Sequence, residues 1–474
     1  MNNLHERKAR DIAASVQRRE ISATAVSRAA CDRLERLNPL LNAFVAYDRG
    51  WVETEAAAVD RRVAAGERLP FAGVPISVKD NLWLGGFPAG FGSKTKAGFI
   101  APRDSWCVAR MRELGAVPLG ITACSEFACK GITQGPRHGI TRNPWDLERT
   151  PGGSSGGAVA ALAAGIGQLA LCTDAGGSTR RPAAHTGLVG FKPTLGLVPN
   201  PWGFDDPNHL LSVIGQLARD VEDAALLVDA LAGFDPLDPL SSPHFTEFGA
   251  TAALKSALGG LRVAYAPDLG CGFAIDADVA DALDKAVTRL ESSGWQIARA
   301  APAWPDAGGE YPLLALQQAE LAALFGDIFR DQRELLDPDI AAQIEIGLTL
   351  RGTRIAEVLL LKDKISTAYA SFFQDYDLLV TLTSPVEAWP VDSLGPSTIG
   401  GKPAGPRGHA GFTPLFNYCG APAISIPCGT GKNGLPVGMQ IAGPRFADAL
   451  VLRAAWHAEQ VFGLDLRSPL LRQG

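Results

Sequence analysis

The sequence lacks any long, uninterrupted apolar segment. Its most apolar stretch, residues 158–171, is interrupted by Gly165, Gly167 and Gln168. It is also shorter than the roughly 20 residues that a membrane-spanning helix requires. The first 20 residues are charged and contain no apolar signal core. We therefore expect no membrane association and a cytoplasmic location.

Paired or clustered cysteines are absent as well. The eight cysteines are scattered singly, with no CxxC pair and no His–Cys cluster at the spacing of zinc ligands. The closest pair, Cys124 and Cys129, is more typical of two small buried side chains than of a shared ligand site. We expect reduced thiols, no metal and no cofactor.

The chain has no surplus of positive charge. It contains 44 lysines and arginines against 50 aspartates and glutamates, a formal net charge of -6. Nucleic-acid binding usually requires a basic surplus that neutralises phosphates. Neither a GxxxxGK[ST] loop nor a dinucleotide-binding fingerprint is present. These absences argue against nucleic acid as a partner and against phosphate-binding glycine loops.

What is present is an alternation of helical and strand patterns. With 474 residues and 46% hydrophobic content, the chain can bury a large core. Residues 24–37, 51–65 and 158–166 have helical character, whereas residues 74–78 and 168–173 are typical of strands. No internal repeat interrupts this alternation. The pattern predicts one α/β domain over residues 1–474, with a large mixed, mainly parallel β-sheet flanked by helices.

A lysine at a strand end and serines in two glycine-rich loops are the residues that carry chemistry. Lys79 follows the first predicted strand, Ser154 lies in the loop 152–157, and Ser178 lies in the loop after the strand 168–173. A lysine can take a proton from a serine only when it is neutral, which requires burial to lower its pKa from about 10.4. Glycines allow backbone N–H groups to approach an oxyanion closely. The pattern predicts a hydroxyl relay.

Each of these features also has a simpler interpretation. A lysine at a strand end is usually a solvated charge, and a glycine-serine run is usually a flexible loop. The run Gly152-x-Ser154-x-Gly156 also fits the nucleophile elbow of α/β-hydrolases, but that motif requires a preceding strand. Residues 142–151 contain two prolines and several turn formers, so they are expected to form a loop. The order and spacing of the three residues favour the relay.

Several blocks together resemble the amidase signature family. They are Gly152-Gly-Ser-Ser-Gly-Gly157, Thr173-Asp-Ala-Gly-Gly-Ser-Thr-Arg180, Pro182-Ala-Ala, Gly190-Phe-Lys-Pro193 and, upstream, Val78-Lys-Asp80. The resemblance extends thinly over residues 21–460. It implies a single α/β domain in which a helical segment, about residues 1–65, packs on a signature core of about residues 70–220. It also implies a metal-independent amidohydrolase that cleaves the carboxamide C–N bond of a small molecule.

The resemblance implies a role for each matching residue. Ser178 corresponds to the nucleophile that forms an acyl-enzyme, Ser154 to a bridging serine on a cis peptide, and Lys79 to the general base. The oxyanion hole corresponds to the backbone amides of Ala175, Gly176, Gly177 and Ser178. Supporting positions are Ser155, Thr173, Asp174 and Arg180, with Arg180 pairing with Asp174.

The substrate pocket is less well defined by the sequence. We expect it to include Glu126, Phe127, Trp202, Phe204, His185 and Phe412. Trp202 and Phe204 lie in the loop 199–207 and suggest an aryl substrate, although both rings could instead cover the core. His185 is interpreted as a packing or pocket residue rather than a base. Arg181 replaces the Gln or Phe common in the family and favours an anionic substrate if it faces the pocket; a surface position is the alternative.

The choice of amide leaves alternatives open. The first is the glutaminase component of a glutamyl-tRNA amidotransferase, whose pattern has an aspartate shortly before the Phe-Thr pair. Here Ala410-Gly411 precede Phe412-Thr413, which argues against glutamine. Further alternatives are a ureido or carboxybiuret-type hydrolase and a non-catalytic scaffold of the same fold. The expected partner is a small-molecule amide, and the resemblance also allows a homodimer.

Overall fold

An eleven-stranded mixed sheet runs through the centre of the computed structural model, which describes residues 3–208, 210–245, 248–305 and 313–473. The strands, in chain order, are β1 (Phe44–Tyr47), β2 (Pro75–Lys79), β3 (Val117–Thr122), β4 (Gln134–Gly135), β5 (Gly139–Ile140), β6 (Leu169–Asp174), β7 (Val189–Lys192), β8 (Val213–Ala218), β9 (Arg262–Tyr265), β10 (Gln296–Arg299), β11 (Leu378–Leu382), β12 (Thr398–Ile399), β13 (Lys402–Pro403), β14 (Ala423–Thr430) and β15 (Pro436–Ala442). Two short pairs, β4 with β5 and β12 with β13, lie outside the main sheet.

Helices cover this sheet. They are α1 (Ala9–Gln17), α2 (Ala23–Leu41), α3 (Arg49–Ala64), α4 (Trp106–Glu113), α5 (Gly156–Ala163), α6 (Arg180–Thr186), α7 (Val221–Leu231), α8 (Ala277–Ser292), α9 (Leu314–Asp331), α10 (Pro338–Thr349), α11 (Gly352–Phe372), α12 (Pro414–Tyr418), α13 (Asp448–Phe462) and α14 (Pro469–Arg472). The helices predicted at 24–37, 51–65 and 158–166 correspond to α2, α3 and α5. None of the helices in the described ranges is long and apolar enough to cross a bilayer.

The strand order of the main sheet is β1-β3-β2-β6-β8-β7-β14-β15-β11-β9-β10. This confirms the predicted α/β class and mixed sheet, but the expectation of mainly parallel pairing is wrong. Parallel pairs join β3, β2 and β6 near one edge and β11, β9 and β10 at the other. Every pair from β6 through β8, β7, β14 and β15 to β11 is antiparallel. Apolar patterning identifies a buried strand but does not encode the direction of its neighbours.

The largest hydrophobic cluster joins the sheet to the helices α1–α4, α7, α8 and α13. The N-terminal helices α1–α3 therefore contribute to the same core as the strands that hold the candidate site. The predicted class, a single-domain α/β fold with a large sheet flanked by helices, is confirmed. The predicted domain range of residues 1–474 stays a prediction, and residues 1–2, 209, 246–247, 306–312 and 474 of that range lie outside the described residues. The inner boundaries at about 65, 70 and 220 stay predictions.

Close packing of α5 against β3 positions the first glycine loop. All eight residues of α5 are buried, and seven of them are alanine, glycine or valine. The amide of Gly157 donates to the carbonyl of Ala123 at 3.1 Å. A Cβ on Gly157 would lie 2.4 Å from the amide nitrogen of Ala123 and 2.5 Å from the carbonyl oxygen of Ala43. The absent side chain at position 157 thus allows the helix to approach the sheet edge closely.

Gly157→Ala should destabilise the fold by about 1–3 kcal/mol, because the added methyl group meets backbone atoms that cannot rotate away. Gly352→Ala, at the exposed start of α11 where no atom lies within 4 Å of the new Cβ, is the matched control. It should leave stability unchanged or raise it by up to about 1 kcal/mol. Denaturant midpoints of the two variants would measure the difference, and equal midpoints would contradict the close-packing argument.

Candidate active site

The last residue of β2, Lys79, is fully buried. Its Nζ lies 2.8 Å from Ser154 Oγ and 3.1 Å from Thr173 Oγ1, within hydrogen-bond distance of both hydroxyl groups. Asn81 Nδ2 donates to the same Thr173 Oγ1 at 2.7 Å. The pairing of β2 with β6 brings Lys79 and Thr173 together although 94 residues separate them in the chain.

Burial controls the charge of the Lys79 amine. Desolvation lowers the pKa of Lys79, and the more distant negative groups that would raise it, such as Asp174, act more weakly. Among the described residues, no carboxylate forms a salt bridge with Lys79 within 4.0 Å. A buried lysine without a carboxylate partner favours its neutral form. The amine is therefore suited to accept a proton from the hydroxyl group beside it.

Thr133 stabilises the loop that carries Ser154 through two hydrogen bonds. Thr133 Oγ1 donates to the carbonyl of Gly152 at 3.0 Å and accepts the amide of Gly156 at 2.9 Å. The peptide bond between Gly153 and Ser154 is cis, as the resemblance implied. Ser155, expected to be a supporting residue, occupies the N-cap position of α5 and is buried, but its side chain makes no capping bond.

Ser178 lies at the wall of a cavity, with 7% of its surface exposed. Ser154 is fully buried and does not line this cavity. Within the described part of the chain, no hydrogen bond joins Ser154 to Ser178, whereas Ser154 is within bonding distance of Lys79. The structure thus brings Lys79 and Ser154, two of the three predicted relay residues, into direct contact, and the predicted link from Ser154 to Ser178 stays a prediction.

Four backbone amides were expected to form the oxyanion hole, and the structure separates them into two groups. The Gly177 N–H donates to Asp174 Oδ1 at 2.8 Å, so it is already engaged. For Ala175, Gly176 and Ser178, the described residues contain no acceptor of the amide hydrogen. Ala175, Gly176 and Ser178 also line the cavity. The oxyanion-hole role of these amides stays a prediction, and among the four it is Gly177 whose N–H is already engaged.

The loop 174–178 is anchored by the Asp174–Arg180 ion pair. Arg180 Nη2 lies 2.9 Å from Asp174 Oδ1, its Nε donates to Oδ2 at 3.1 Å, and both residues are fully buried. Burial alone would raise the pKa of Asp174, but the charge and hydrogen bonds of Arg180 outweigh it and lower that pKa well below its usual range. The pairing expected from the resemblance is present. The remaining Arg180 donors reach Thr413 O, Gln440 Oε1 and Asn417 Oδ1.

The cavity at Ser178 has walls from several regions of the chain. One wall belongs to the predicted glycine loop that carries Ser178 and to the adjoining Arg181, and the others come from segments that carried no recognisable motif. The lining residues are Ala128, Cys129, Lys130, Gly131, Ile132, Ala175, Gly176, Ser178, Arg181, Asn208, Gln317, Asp339, Leu394, Pro406, Arg407, His409 and Ala410. Arg181 therefore faces the cavity, one of the two positions considered for it.

Trp202 and Phe204 do not line this cavity, which corrects the expected aromatic mouth. Both line a different cavity, together with Glu320. Trp202 Nε1 donates to the carbonyl of Asp104 at 2.9 Å. Phe204 stacks on Phe91 with ring centroids 5.3 Å apart. The two rings contribute to packing, which was the simpler interpretation of the loop 199–207.

The other four predicted pocket residues do not line the cavity at Ser178 either. Phe127 stacks on Phe325, and Phe412 packs against Phe273. Glu126 is buried, accepts hydrogen bonds from Ser93 Oγ and the Asp337 amide, and has its pKa raised to about 7 by burial. His185 packs edge-on against Trp389, and burial lowers its pKa to about 3.

The lining residues that no sequence motif predicted include the loop 128–132, Asn208, Gln317, Asp339, Arg407 and His409. No local pattern singles them out, since they share only their proximity to Ser178 in the folded chain. Within the described ranges, no group of three or more His, Cys, Asp or Glu side chains could hold a metal ion.

Known proteins with related sequences or structures are similar over nearly their whole length. An acylamidase from Rhodococcus erythropolis is 35% identical, with 97% of this chain and 96% of that protein covered. A glutamyl-tRNA(Gln) amidotransferase component from Moorella thermoacetica is 36% identical over 98% of both chains. The crystal structure of a bacterial aryl acylamidase belonging to the amidase signature enzymes has a TM-score of 0.92, 28% identity and 99% coverage of both chains.

A family-wide comparison agrees with these individual matches. The sequence model of the family described as Amidase matches residues 25–452, which span the lysine of β2, both glycine loops and the cavity wall. The buried Lys79–Ser154 contact, the Gly153–Ser154 cis peptide and the Asp174–Arg180 anchor all lie within that range. The motifs, the fold and the relatives agree: the chain belongs to the amidase family.

Proposed function

We propose that this protein hydrolyses the carboxamide C–N bond of small-molecule amides through an acyl-enzyme on Ser178. The observation that carries the proposal is the 2.8 Å contact between the buried amine of Lys79 and the hydroxyl of Ser154. A desolvated, neutral amine beside a serine is the arrangement that activates a hydroxyl near neutral pH. The acylamidase and aryl acylamidase relatives support an amide as the substrate.

In the proposed reaction, Ser178 Oγ attacks the amide carbonyl while its proton passes to Ser154 Oγ. Ser154 in turn gives its own proton to Lys79 Nζ. The first transfer requires a hydrogen bond between the two serines, and catalytic hydrogen bonds often form only when the substrate is in place. Because Ser178 lies at the cavity wall, a rotation of its side chain is the movement we propose for bringing the two hydroxyl groups together.

The amides of Ala175, Gly176 and Ser178 are proposed to bind the oxyanion of the tetrahedral intermediate. Collapse of that intermediate breaks the C–N bond, and the relay returns the proton to the departing nitrogen. A water molecule then attacks the acyl carbon along the same path and releases the acid. Thr173, Asp174, Arg180 and Ser155 keep supporting roles: Thr173 contacts Lys79 directly, while the ion pair holds the nucleophile loop.

The cavity wall is more polar than the predicted aromatic mouth. The described wall contains no phenylalanine, tyrosine or tryptophan, so an aryl preference has no support from ring contacts. The similarity to an aryl acylamidase is the observation that keeps aryl amides among the proposed substrates. We retain a homodimer and a cytoplasmic location as predictions.

Glutamine hydrolysis as part of a glutamyl-tRNA amidotransferase is the second candidate, because relatives of that name match equally well in sequence. The cavity argues against it. Ala410 lines the wall in the segment where the glutaminase pattern has an aspartate, and the described part of the wall contains three cationic residues and one acidic residue, Asp339. A wall with this charge distribution does not complement the positive charge of the ammonium group of free glutamine.

Lys79→Met should lower kcat/KM for amide hydrolysis by roughly 10²–10⁴-fold, because the variant keeps the volume of the side chain and removes the base. In the wild type, kcat/KM should rise with pH through a pKa below the ordinary lysine value of 10.5, since the amine acts when unprotonated and burial lowers its pKa. This rise should be absent from the residual activity of Lys79→Met. The pH–rate profiles of both proteins measure the effect.

Lys364→Met is the matched control, because Lys364 is exposed on α11. Its activity and pH profile should equal those of the wild type. If kcat/KM of Lys79→Met still rose with pH as in the wild type, or if its activity fell by less than about tenfold, the assignment of Lys79 as the base would be contradicted.

Phenylmethylsulfonyl fluoride should form one covalent adduct, on Ser178, because an activated serine beside oxyanion donors attacks the sulfonyl group. Peptide mass spectrometry locates the adduct. Ser178→Ala should abolish it, Ser154→Ala should slow it by about 10²-fold or more, and Ser371→Ala, an exposed serine on α11, should leave it unchanged. Modification of Ser154 in the wild type instead would support the nucleophile-elbow interpretation.

Neutral amides should be hydrolysed with a kcat/KM at least about tenfold above that for glutamine, because the one carboxylate in the described wall, that of Asp339, already lies 3.7 Å from Arg407. Ala410→Asp should shift this ratio toward glutamine. Release of ammonia from glutamine and from butyramide, measured on both proteins, gives the ratio. A wild-type preference for glutamine would reverse the ranking of the two candidate functions.

A further inference from the structure

Arg181 is a buried cation in the wall of the Ser178 cavity, with 6% of its surface exposed. It lies in the first turn of α6, where its backbone amide donates to the carbonyl of Gly177 at 2.9 Å. Its Nη1 donates to the carbonyl of Ala410, another lining residue, at 3.3 Å. The neighbouring Arg180 is committed to the Asp174 anchor and does not line the cavity. Arg180 therefore stabilises the loop 174–178, whereas the neighbouring Arg181 faces the cavity.

The charge of the cavity wall is positive. Among the described lining residues, Lys130, Arg181 and Arg407 are cationic and Asp339 is anionic. Lys130 forms a buried salt bridge of 2.8 Å with Asp337, and Arg407 lies 3.7 Å from Asp339. Lys130 and Arg407 are therefore each paired with a carboxylate, and Arg181 adds a further positive charge that attracts ligands of the opposite sign. The wall therefore favours a negatively charged group in the substrate.

His409 supplies a second polar group to the same part of the wall. Its ring lies 4.4 Å from that of Trp389, and the residue is 2% exposed. Burial, followed by the charge of Arg181, holds the pKa of His409 well below its ordinary value, so the ring is neutral and carries one N–H donor. Within the described residues, neither ring nitrogen has a hydrogen-bond partner. A buried polar group without a partner is costly, and a ligand that accepts its hydrogen bond accounts for it.

We propose that the amide substrate carries a carboxylate, which Arg181 and His409 bind while Ser178 attacks the amide carbon. The inference rests on the proposed amidase function and narrows its substrate class. An arginine fork matches the two oxygens of a carboxylate, and a neutral imidazole N–H adds a third donor. Ser178 and Arg181 are three positions apart in the chain and line the same cavity, so we expect one small molecule to contact both.

Matched pairs of anilides test this inference. Succinic acid monoanilide and butyranilide differ by a carboxylate on the acyl side, whereas 4-acetamidobenzoate and 4-methylacetanilide differ by one on the amine side. In at least one pair the wild type should hydrolyse the acid with a kcat/KM about 10- to 100-fold higher, the range expected for hydrogen bonds to a charged group.

Arg181→Gln should reduce that acid-to-neutral ratio by about 10- to 100-fold. Arg181→Lys should retain part of the ratio, because it keeps the charge and loses the fork. His409→Phe, which keeps a ring against Trp389, should lower the ratio by about tenfold or less. Arg354→Gln removes an exposed arginine of α11 and should leave the ratio unchanged.

The outcomes separate this inference from the proposed function. Hydrolysis of the neutral anilides without a preference for either acid would overturn the carboxylate site and leave the amidase function standing. Failure to hydrolyse all four anilides and simple amides would count against the function itself. If Arg181→Gln does not fold, inhibition of the wild type decides: benzoate should bind about tenfold more tightly than benzyl alcohol, and equal inhibition would overturn the carboxylate site.

Discussion

The buried contact between Lys79 and Ser154 is the constraint on which the rest of the site depends. An amine is useful as a base here only if it is kept from water, and β2 keeps it there because this strand lies between its parallel neighbours β3 and β6. The same enclosure leaves Thr173 as the second polar neighbour of Nζ within hydrogen-bond distance. The position of the lysine at the end of a buried strand, rather than on a surface loop, therefore sets its protonation state.

The loop 174–178, which carries the proposed nucleophile Ser178, depends on a second buried interaction, the Asp174–Arg180 ion pair. A buried ion pair is stable only when its remaining donors and acceptors are satisfied. Arg180 meets this condition through Thr413, Asn417 and Gln440, which lie 233, 237 and 260 residues away in the chain. The loop that carries Ser178 is consequently held by the C-terminal half of the protein, and the middle of the sheet must assemble before the site is complete.

The residues proposed for catalysis and the residues that line much of the cavity lie in different parts of the chain. The residues proposed for catalysis lie in β2 and in the loops around α5 and β6, whereas much of the cavity wall comes from residues 128–132, Gln317, Asp339 and 406–410. Arg181 is the residue that links the two, because it follows the nucleophile loop directly and faces the wall. Members of one family can therefore share a relay and differ in the charge of the cavity beside it.

The sequence by itself determined the fold class, the glycine loops, the lysine at a strand end and the pairing of Asp174 with Arg180. The glycine loops and the lysine are local features of short motifs, the fold class follows from the alternation of helix and strand patterns, and the ion pair was implied by the family resemblance. The tertiary structure alone decided the direction of the strands, because patterning reports burial and not pairing. It also determined which residues line the cavity at Ser178. Trp202 donates a hydrogen bond to the carbonyl of Asp104 and Phe204 stacks on Phe91, so neither lines this cavity. His409 and Arg407, which are distant from Ser178 in the chain, do line it. Residues that far apart in the chain meet only through packing, and no local pattern encodes such a meeting.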